Sequence, residues 1–361
     1  MKIGIITHYY KSINYGGNLQ AYALCVYLNN LGLDAEQISY IREKNSIWKK
    51  KGFLRKIEAS IYHAVLKLRS FKHLKAWLSI EKRKRRVLEF NLNRIPHSKT
   101  IYTQKTIHQA NADYQIFITG SDQVCHPQAV CHAYLLDFVS DGHKKISYAA
   151  SLSVDELTEK EKAVYQYSWK TYHAISVREE MAVSLLQPIL EQSVKWVLDP
   201  TLLLSKEEWD VVCAQRIIGD DYIFCYFLGD GLEQREIVKR FAERKKIKIV
   251  TLPYLNGKYR ARDHGFGDEK LFAVGPEEFL SLIRYAKYVF TDSFHASAFS
   301  LIYMKEFFTF ERTAKQRMGS RLDTLFTLFD CKSHFCDTKD KANIQYIMNL
   351  PAIDYTKKLP K

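Results

Sequence analysis

The sequence predicts an α/β protein in two domains, each a parallel sheet covered by helices, and three observations lead there. Short apolar strands alternate with helix-period segments along most of the chain. Most strands run directly into polar or glycine-containing loops, as the carboxyl ends of parallel strands do. The length of 361 residues, 47% of them hydrophobic, fits about two packed cores.

The first fifty residues read as β-α-β. IGIIT is a buried strand, HYYKSINYGG a loop, and NLQAYALCVYLNNLG a helix with Leu24, Tyr27, Leu28 and Leu31 on one face and Gly32 as its stop. The strand AEQISYI follows. The glycines of Asn14-Tyr15-Gly16-Gly17 let backbone N–H groups approach an anion or a sugar, or simply make a tight turn; the string is neither G-x-G-x-x-G nor a Walker A loop.

From Arg42 to Arg94 the chain is strongly basic, with Lys49, Lys50, Lys51, Arg55 and Lys56 and then the run Lys82 to Arg86. Leu54, Ile57, Ile61, Val65, Leu68, Phe71, Leu74 and Leu78 recur every three or four residues, which predicts a basic helical insertion around 46–94. Such a helix packs on the core with its charges solvated, or lies on an anionic lipid surface. The glycine-spaced aromatic motifs of common RNA modules are missing, so no nucleic-acid partner is expected.

Three further strands end in polar groups. YQIFITGSDQV places Gly120, Ser121, Asp122 and Gln123 at a strand end, KISYAAS ends in small residues, and HAISVREE ends in Arg178 and Glu179. An arginine there holds a carboxylate or phosphate bidentately, or pairs with a neighbour such as Glu179 or Glu180. VLDPTLLLSKEEW closes the first domain, 1–205, with a strand WVL, a break at Asp199-Pro200 and a helix start at Ser205. The second domain, 206–345, reads as strand YIFCYFLG, helix Gln234 to Arg244, strand KIVTL, helix GPEEFLSLIRYA, strand YVFT, a helix from Ala296 to Tyr303 and strand FFTF; 346–361 is a tail.

His295, in TDSFHASAFSLIYMKEFFTFE, falls between a strand end and a helix start, where free N–H groups attract anions and an imidazole exchanges protons near neutral pH. On its own a histidine there is more often a structural residue at a helix end than a catalyst. The basic stretch Arg312 to Arg321 is expected on the same side.

The formal net charge of +14 favours anionic partners or surfaces. The chain starts directly on a strand and holds no apolar run of membrane-spanning length, so a cytoplasmic protein is expected, peripheral to the inner face of the cell membrane if the basic helix binds lipid. Seven cysteines in apolar stretches read as reduced, buried thiols. Cys125-His126 with Cys131-His132 matches no common zinc spacing, so no metal site is expected.

NYGGNLQAYAL, FITGSDQV, KISYAAS, AISVREE, LDPTLLL and TDSFHASAFSLIYMKEFF followed by GSRLDTL occur in this order between about Ile3 and Phe329, and together they resemble the polysaccharide pyruvyl transferase family. The resemblance implies two Rossmann-like domains facing a cleft, similar to GT-B glycosyltransferases. It implies transfer of a pyruvyl group from phosphoenolpyruvate, a co-substrate rather than a cofactor, to a hydroxyl pair of a bacterial surface glycan or lipid-linked sugar. It further implies His295 as general acid, with Arg178 and the region of Ser293 binding the donor. Asn14, Tyr15, Gly16, Asp122 and Gln123 are then candidates for the acceptor side. Better-studied members have arginine where this chain has Ser293, so another cation holds the donor; Lys315 is the first choice, with Arg312 and Arg321 as alternatives. Many members also have tryptophan at the position of Cys125, a difference expected to alter acceptor packing. Two other readings stay open: glycosyl transfer from a nucleotide sugar, and a non-catalytic, membrane-associated role in polysaccharide assembly.

Overall fold

A computed structural model describes residues 1–42, 74–254, 260–312 and 319–357. The chain divides into two compact units, residues 1–71 with 87–204, and residues 72–86 with 205–361.

The first unit is built on seven strands, β1 (Lys2–Ile6), β2 (Asp34–Tyr40), β3 (His97–Tyr102), β4 (Ile116–Thr119), β5 (Lys144–Ala150), β6 (Ala174–Val177) and β7 (Val194–Trp196), in the order β3-β2-β1-β4-β5-β6-β7. All neighbouring pairs are parallel. The order reverses between β1 and β4, which is the place where doubly wound sheets bind ligands. The apolar runs of β1 and β4 are buried, as a sheet covered on both faces requires. β3 was not visible as a strand in the sequence: it is an edge strand whose middle residues, Lys99 to Ile101, are exposed.

The helix Tyr15–Asn30 starts three residues before the expected NLQ, because Asn14 caps it by accepting from the Gly17 amide at 3.4 Å. Its N-terminal half is buried on every side from Tyr15 to Cys25, so the expected single stripe is too narrow. Leu31 lies beyond the helix and is 61% exposed, while Gly32 takes the left-handed φ of +80° that ends it.

Of the basic insertion, the helix Leu74–Asn93 is described and the apolar positions Leu54 to Phe71 lie outside the described residues. The expected stripe does not continue through Leu78, which is 56% exposed. The buried face is instead Arg83, Val87, Phe90 and Asn91, a helical i, i+4, i+7, i+8 pattern. The division between the units falls within this helix, after Arg86.

The second unit carries β8 (Tyr222–Tyr226), β9 (Lys248–Thr251), β10 (Glu269–Lys270), β11 (Tyr288–Thr291), β12 (Glu306–Phe310) and β13 (Phe335–Cys336), ordered β10-β9-β8-β11-β12-β13 and parallel throughout. Its reversal lies between β8 and β11. Aromatic rings fill one face: Phe290 stacks on Phe308 at 4.9 Å between centroids, and Phe241 meets Phe290 edge-on at 5.0 Å. On another side the helices Pro276–Arg284 and Phe294–Ile302 pack together, and Trp209 meets Phe299 edge-on at 4.8 Å. The helix Ile344–Asn349 is anchored by buried Ile347, and the Ile353 amide donates to Glu306 Oε2 at 3.0 Å. Among the described residues no helix is long and apolar enough to cross a membrane.

Candidate active site

In the second unit the site forms at the switch point, where β8 and β11 end side by side with Tyr226 opposite Thr291. Thr291 Oγ1 donates to the Tyr226 carbonyl at 2.6 Å, which ties the two strand ends. Ser293 has extended backbone and is the N-cap of the helix Phe294–Ile302, its hydroxyl accepting from the Ala296 amide at 3.5 Å. The helix therefore begins two residues before the expected Ala296, and His295 sits in its first turn. His295 is 8% exposed, its ring edge-on to Phe294 at 5.3 Å.

Asp292, with no exposed surface, accepts from the backbone amides of Leu228 at 2.7 Å and Gly229 at 2.6 Å. Arg312 follows β12 and turns onto the same turn: its Nε donates to the Asp292 carbonyl at 3.1 Å and lies 3.6 Å from the carboxylate. From the other side two buried arginines grip the loop after β8. Arg260 donates to the carbonyls of Phe227 and Leu228, both at 3.0 Å, and Arg235 to that of Gly231 at 2.7 Å. Asp263 balances both, 2.6 Å from Arg235 and 3.1 Å from Arg260. The Tyr226 phenol is raised by burial, with Arg83 and Arg312 pulling against it. Arg321 is buried on the helix Gly319–Leu328, which packs on the His295 helix. Lys315 lies outside the described residues.

In the first unit the switch point brings the start of the helix Tyr15–Asn30 beside the loop after β4. Asp122 is 7% exposed and adopts φ +64°, ψ −173°, a conformation costing a side-chain-bearing residue about 1–3 kcal/mol. It is held there by the amides of Val124 and Ser151, which donate to its carbonyl at 2.8 and 3.0 Å. Strain fixed in this way is typical of functional positions. Asn14 caps the helix, Tyr15 and Gly16 are buried in its first turn, and the Gln123 carbonyl meets His8 Nε2 at 3.2 Å.

Arg178 is 3% exposed and engaged with carboxylates, but its nearest partner is Asp199 at 2.6 Å, with Asp122 at 3.6 Å and Glu179 at 3.8 Å. Burial works against its charge and the carboxylates more than restore it, so its pKa ends raised. Asp199 also accepts from Thr201, at the amide and the hydroxyl, and from Ser121. Asp199 belongs to LDPTLLL, whose Asp-Pro reads as a break in the chain and gives no sign of a pairing with Arg178.

Burial pushes the Cys125 and Cys131 thiols up, and His132 pairs with Asp137 at 2.8 Å. Among the described residues, no three His, Cys, Asp or Glu side chains are grouped as a metal would need.

Two doubly wound, parallel α/β units with polar loops at their switch points define a GT-B-like fold. The chain is similar to the UDP-GlcNAc 2-epimerase of Methanocaldococcus jannaschii, with TM-score 0.54, 14% identity, and 100% of this chain and 94% of that one covered. It is also similar to the UDP-GlcNAc 2-epimerase of Neisseria meningitidis, with TM-score 0.56, 9% identity, and 96% and 89% covered. At these identities the likeness concerns the fold alone. No curated protein matches in sequence. The family model described as polysaccharide pyruvyl transferase matches residues 14–313, and the chain belongs to that family.

Proposed function

We propose that the protein transfers a pyruvyl group from phosphoenolpyruvate to two hydroxyls of one sugar, forming a cyclic ketal on a bacterial surface glycan. The observation that carries this is His295 in the first turn of the helix Phe294–Ile302, with Arg312 bonded to the carbonyl three residues before it. The reaction needs a proton at the enol methylene. Protonation there makes C2 electrophilic and one sugar hydroxyl adds, releasing its proton. Phosphate then leaves with the electron pair of its C–O bond, and the second hydroxyl closes the ring. Of the two hydroxyl protons, one is balanced in the new methyl group and the other departs with phosphate.

His295 is the general acid. Arg312, 11% exposed at its side chain, supplies a guanidinium for the donor's carboxylate or phosphate, and both of its contacts to Asp292 use Nε, so the Nη fork is not consumed there. Three carboxylates around Arg178 support a role for it in fixing Asp122 toward the acceptor rather than in receiving an anionic donor. Ser293 serves as the helix cap. The acceptor is a glycan, lipid-linked in a reading that the net charge supports.

The test compares surface polysaccharide from cells with the gene, without it, and with His295→Ala restored in its place. Mass spectrometry should find a pyruvate ketal with the wild-type chain alone. In vitro, His295→Ala should lower phosphate release from phosphoenolpyruvate by roughly 10²- to 10⁴-fold, as loss of a general acid does. A ketal content that ignores the gene, or a purified chain that consumes a nucleotide sugar instead, would reject the proposal.

A further inference from the structure

We infer that Asp292 is the positioning residue of the donor site. It acts through Arg312, and it shapes the loop after β8 so that this cation is held at the turn that leads into His295. The inference rests on the pyruvyl-transfer reading above and deepens it by naming what holds the donor's anion in a chain with serine at 293.

Three independent sets of contacts converge on one turn. Both carboxylate oxygens of Asp292 accept loop amides, Oδ1 from Leu228 and Oδ2 from Gly229, so the side chain is a strut between the ends of β8 and β11. Arg312 bonds the carbonyl of the same residue and lies 3.6 Å from Oδ1. The carbonyls of Phe227, Leu228 and Gly231 are taken by Arg260 and Arg235. The loop's donors thus point to Asp292 and its acceptors to the two arginines, which leaves it little freedom.

Gly229 shows how close this fit is. A Cβ there would lie 2.7 Å from Asp292 Oδ2, so any side chain would displace the carboxylate, while Arg312 Cγ at 3.4 Å stands at contact distance. Ligands of doubly wound sheets bind outside the strand ends where the order reverses, and β8 and β11 are the pair at that reversal in this unit.

A carboxylate near an anion site could also repel the anion, and the two effects have opposite signs. Here the Asp292 charge is shared among two amides and a guanidinium and is wholly buried, while the direction of Arg312 depends on it. Orientation therefore outweighs repulsion, and losing Asp292 should weaken donor binding.

The experiment titrates phosphoenolpyruvate into the full chain by calorimetry, with wild type, Asp292→Asn, Arg312→Gln and the double variant, each checked for fold by circular dichroism. Asn keeps the shape of Asp but turns an N–H toward one of the two loop amides. Each single variant should weaken binding roughly tenfold or more, as loss of a charge-assisted contact does. The double variant should be no weaker than Arg312→Gln, because Asp292 acts through Arg312; a merely structural aspartate would give additive losses. Additive losses, unchanged affinity or tighter binding in Asp292→Asn each overturn the inference while leaving pyruvyl transfer standing. If wild type binds no phosphoenolpyruvate at millimolar concentration, the pyruvyl-transfer reading falls and takes the inference with it. Should Asp292→Asn fail to fold, Arg312→Lys decides: it keeps the charge, lacks the Nε–H that reaches Asp292, and must also bind more weakly, wild-type affinity counting against the inference.

Discussion

At His8 both ring nitrogens are committed. Nε2 lies 3.2 Å from the Gln123 carbonyl, which can only accept, so Nε2 carries the proton; Nδ1 then accepts from the Tyr134 hydroxyl at 3.1 Å. Burial pushes the imidazole down to about 4, against a pull upward from Asp122. The folded chain binds this proton more weakly than the unfolded one, so the contribution is fully present above the ordinary value near 6.5 and is lost as pH falls toward 4. It amounts to at most about 3 kcal/mol. Urea unfolding at pH 7 and pH 5 should show wild type losing more stability than His8→Gln, and equal losses would remove the assignment. Residue positions, rather than roles, were legible where they depend on local sequence. Ser293 and His295 share one turn and could be read from TDSFH, whereas the Arg178 pair with Asp199 depends on which strands lie side by side. His8 stands apart from any motif in the sequence, because its partners Gln123 and Tyr134 come from a distant loop.

At the scale of elements, the helix Tyr15–Asn30 turns on one glycine. A Cβ on Gly17 would come within 2.7 Å of the His8 carbonyl, a backbone atom that cannot swing away, whereas Gly219 has open space around it and no left-handed backbone angle. Alanine normally favours a helix over glycine by about 1 kcal/mol, so Gly17→Ala would stabilise on propensity alone. The clash is larger: forced overpacking costs about 1–3 kcal/mol or more. Chemical denaturation should therefore find Gly17→Ala destabilised and Gly219→Ala within about 0.5 kcal/mol of wild type. A neutral Gly17→Ala would mean that the helix start can shift. This close approach also explains why NYGG reads equally well as a ligand loop or a tight turn: its glycines sit in a helical first turn packed under a carbonyl, which spacing cannot reveal. Strands with three or more buried residues in a row, such as β4, β8 and β11, were legible; β10 and β13 are two residues long and too short to carry a period.

For the whole molecule, alternation of strands and helices was enough to see two parallel α/β units. What it could not show is that the basic helix Leu74–Asn93 is split between them, because that depends on contacts such as Arg86 with Glu278 at 2.6 Å and with the Ala273 carbonyl at 2.8 Å. These contacts bear on lipid binding. The run Lys82 to Arg86 looks like a surface charge block, yet Arg83 is buried, Lys84 pairs with Glu81 at 2.6 Å and Arg86 is spent on the second unit. An attraction to anionic lipid would then have to come from the excess of 54 basic over 40 acidic side chains, much of it between Lys49 and Lys75. Such long-range attraction reaches about 30 Å at 0.01 M salt and about 3 Å at 1 M. The chain should therefore sediment with phosphatidylglycerol-containing vesicles at low salt, stay in solution with neutral ones, and be released as salt rises, at about 1 kcal/mol for each basic group near the surface. Lys82→Gln should weaken binding only slightly if the field is collective, and a large loss would place the contact on this helix instead. Equal sedimentation with neutral and anionic vesicles would reject an electrostatic membrane contact.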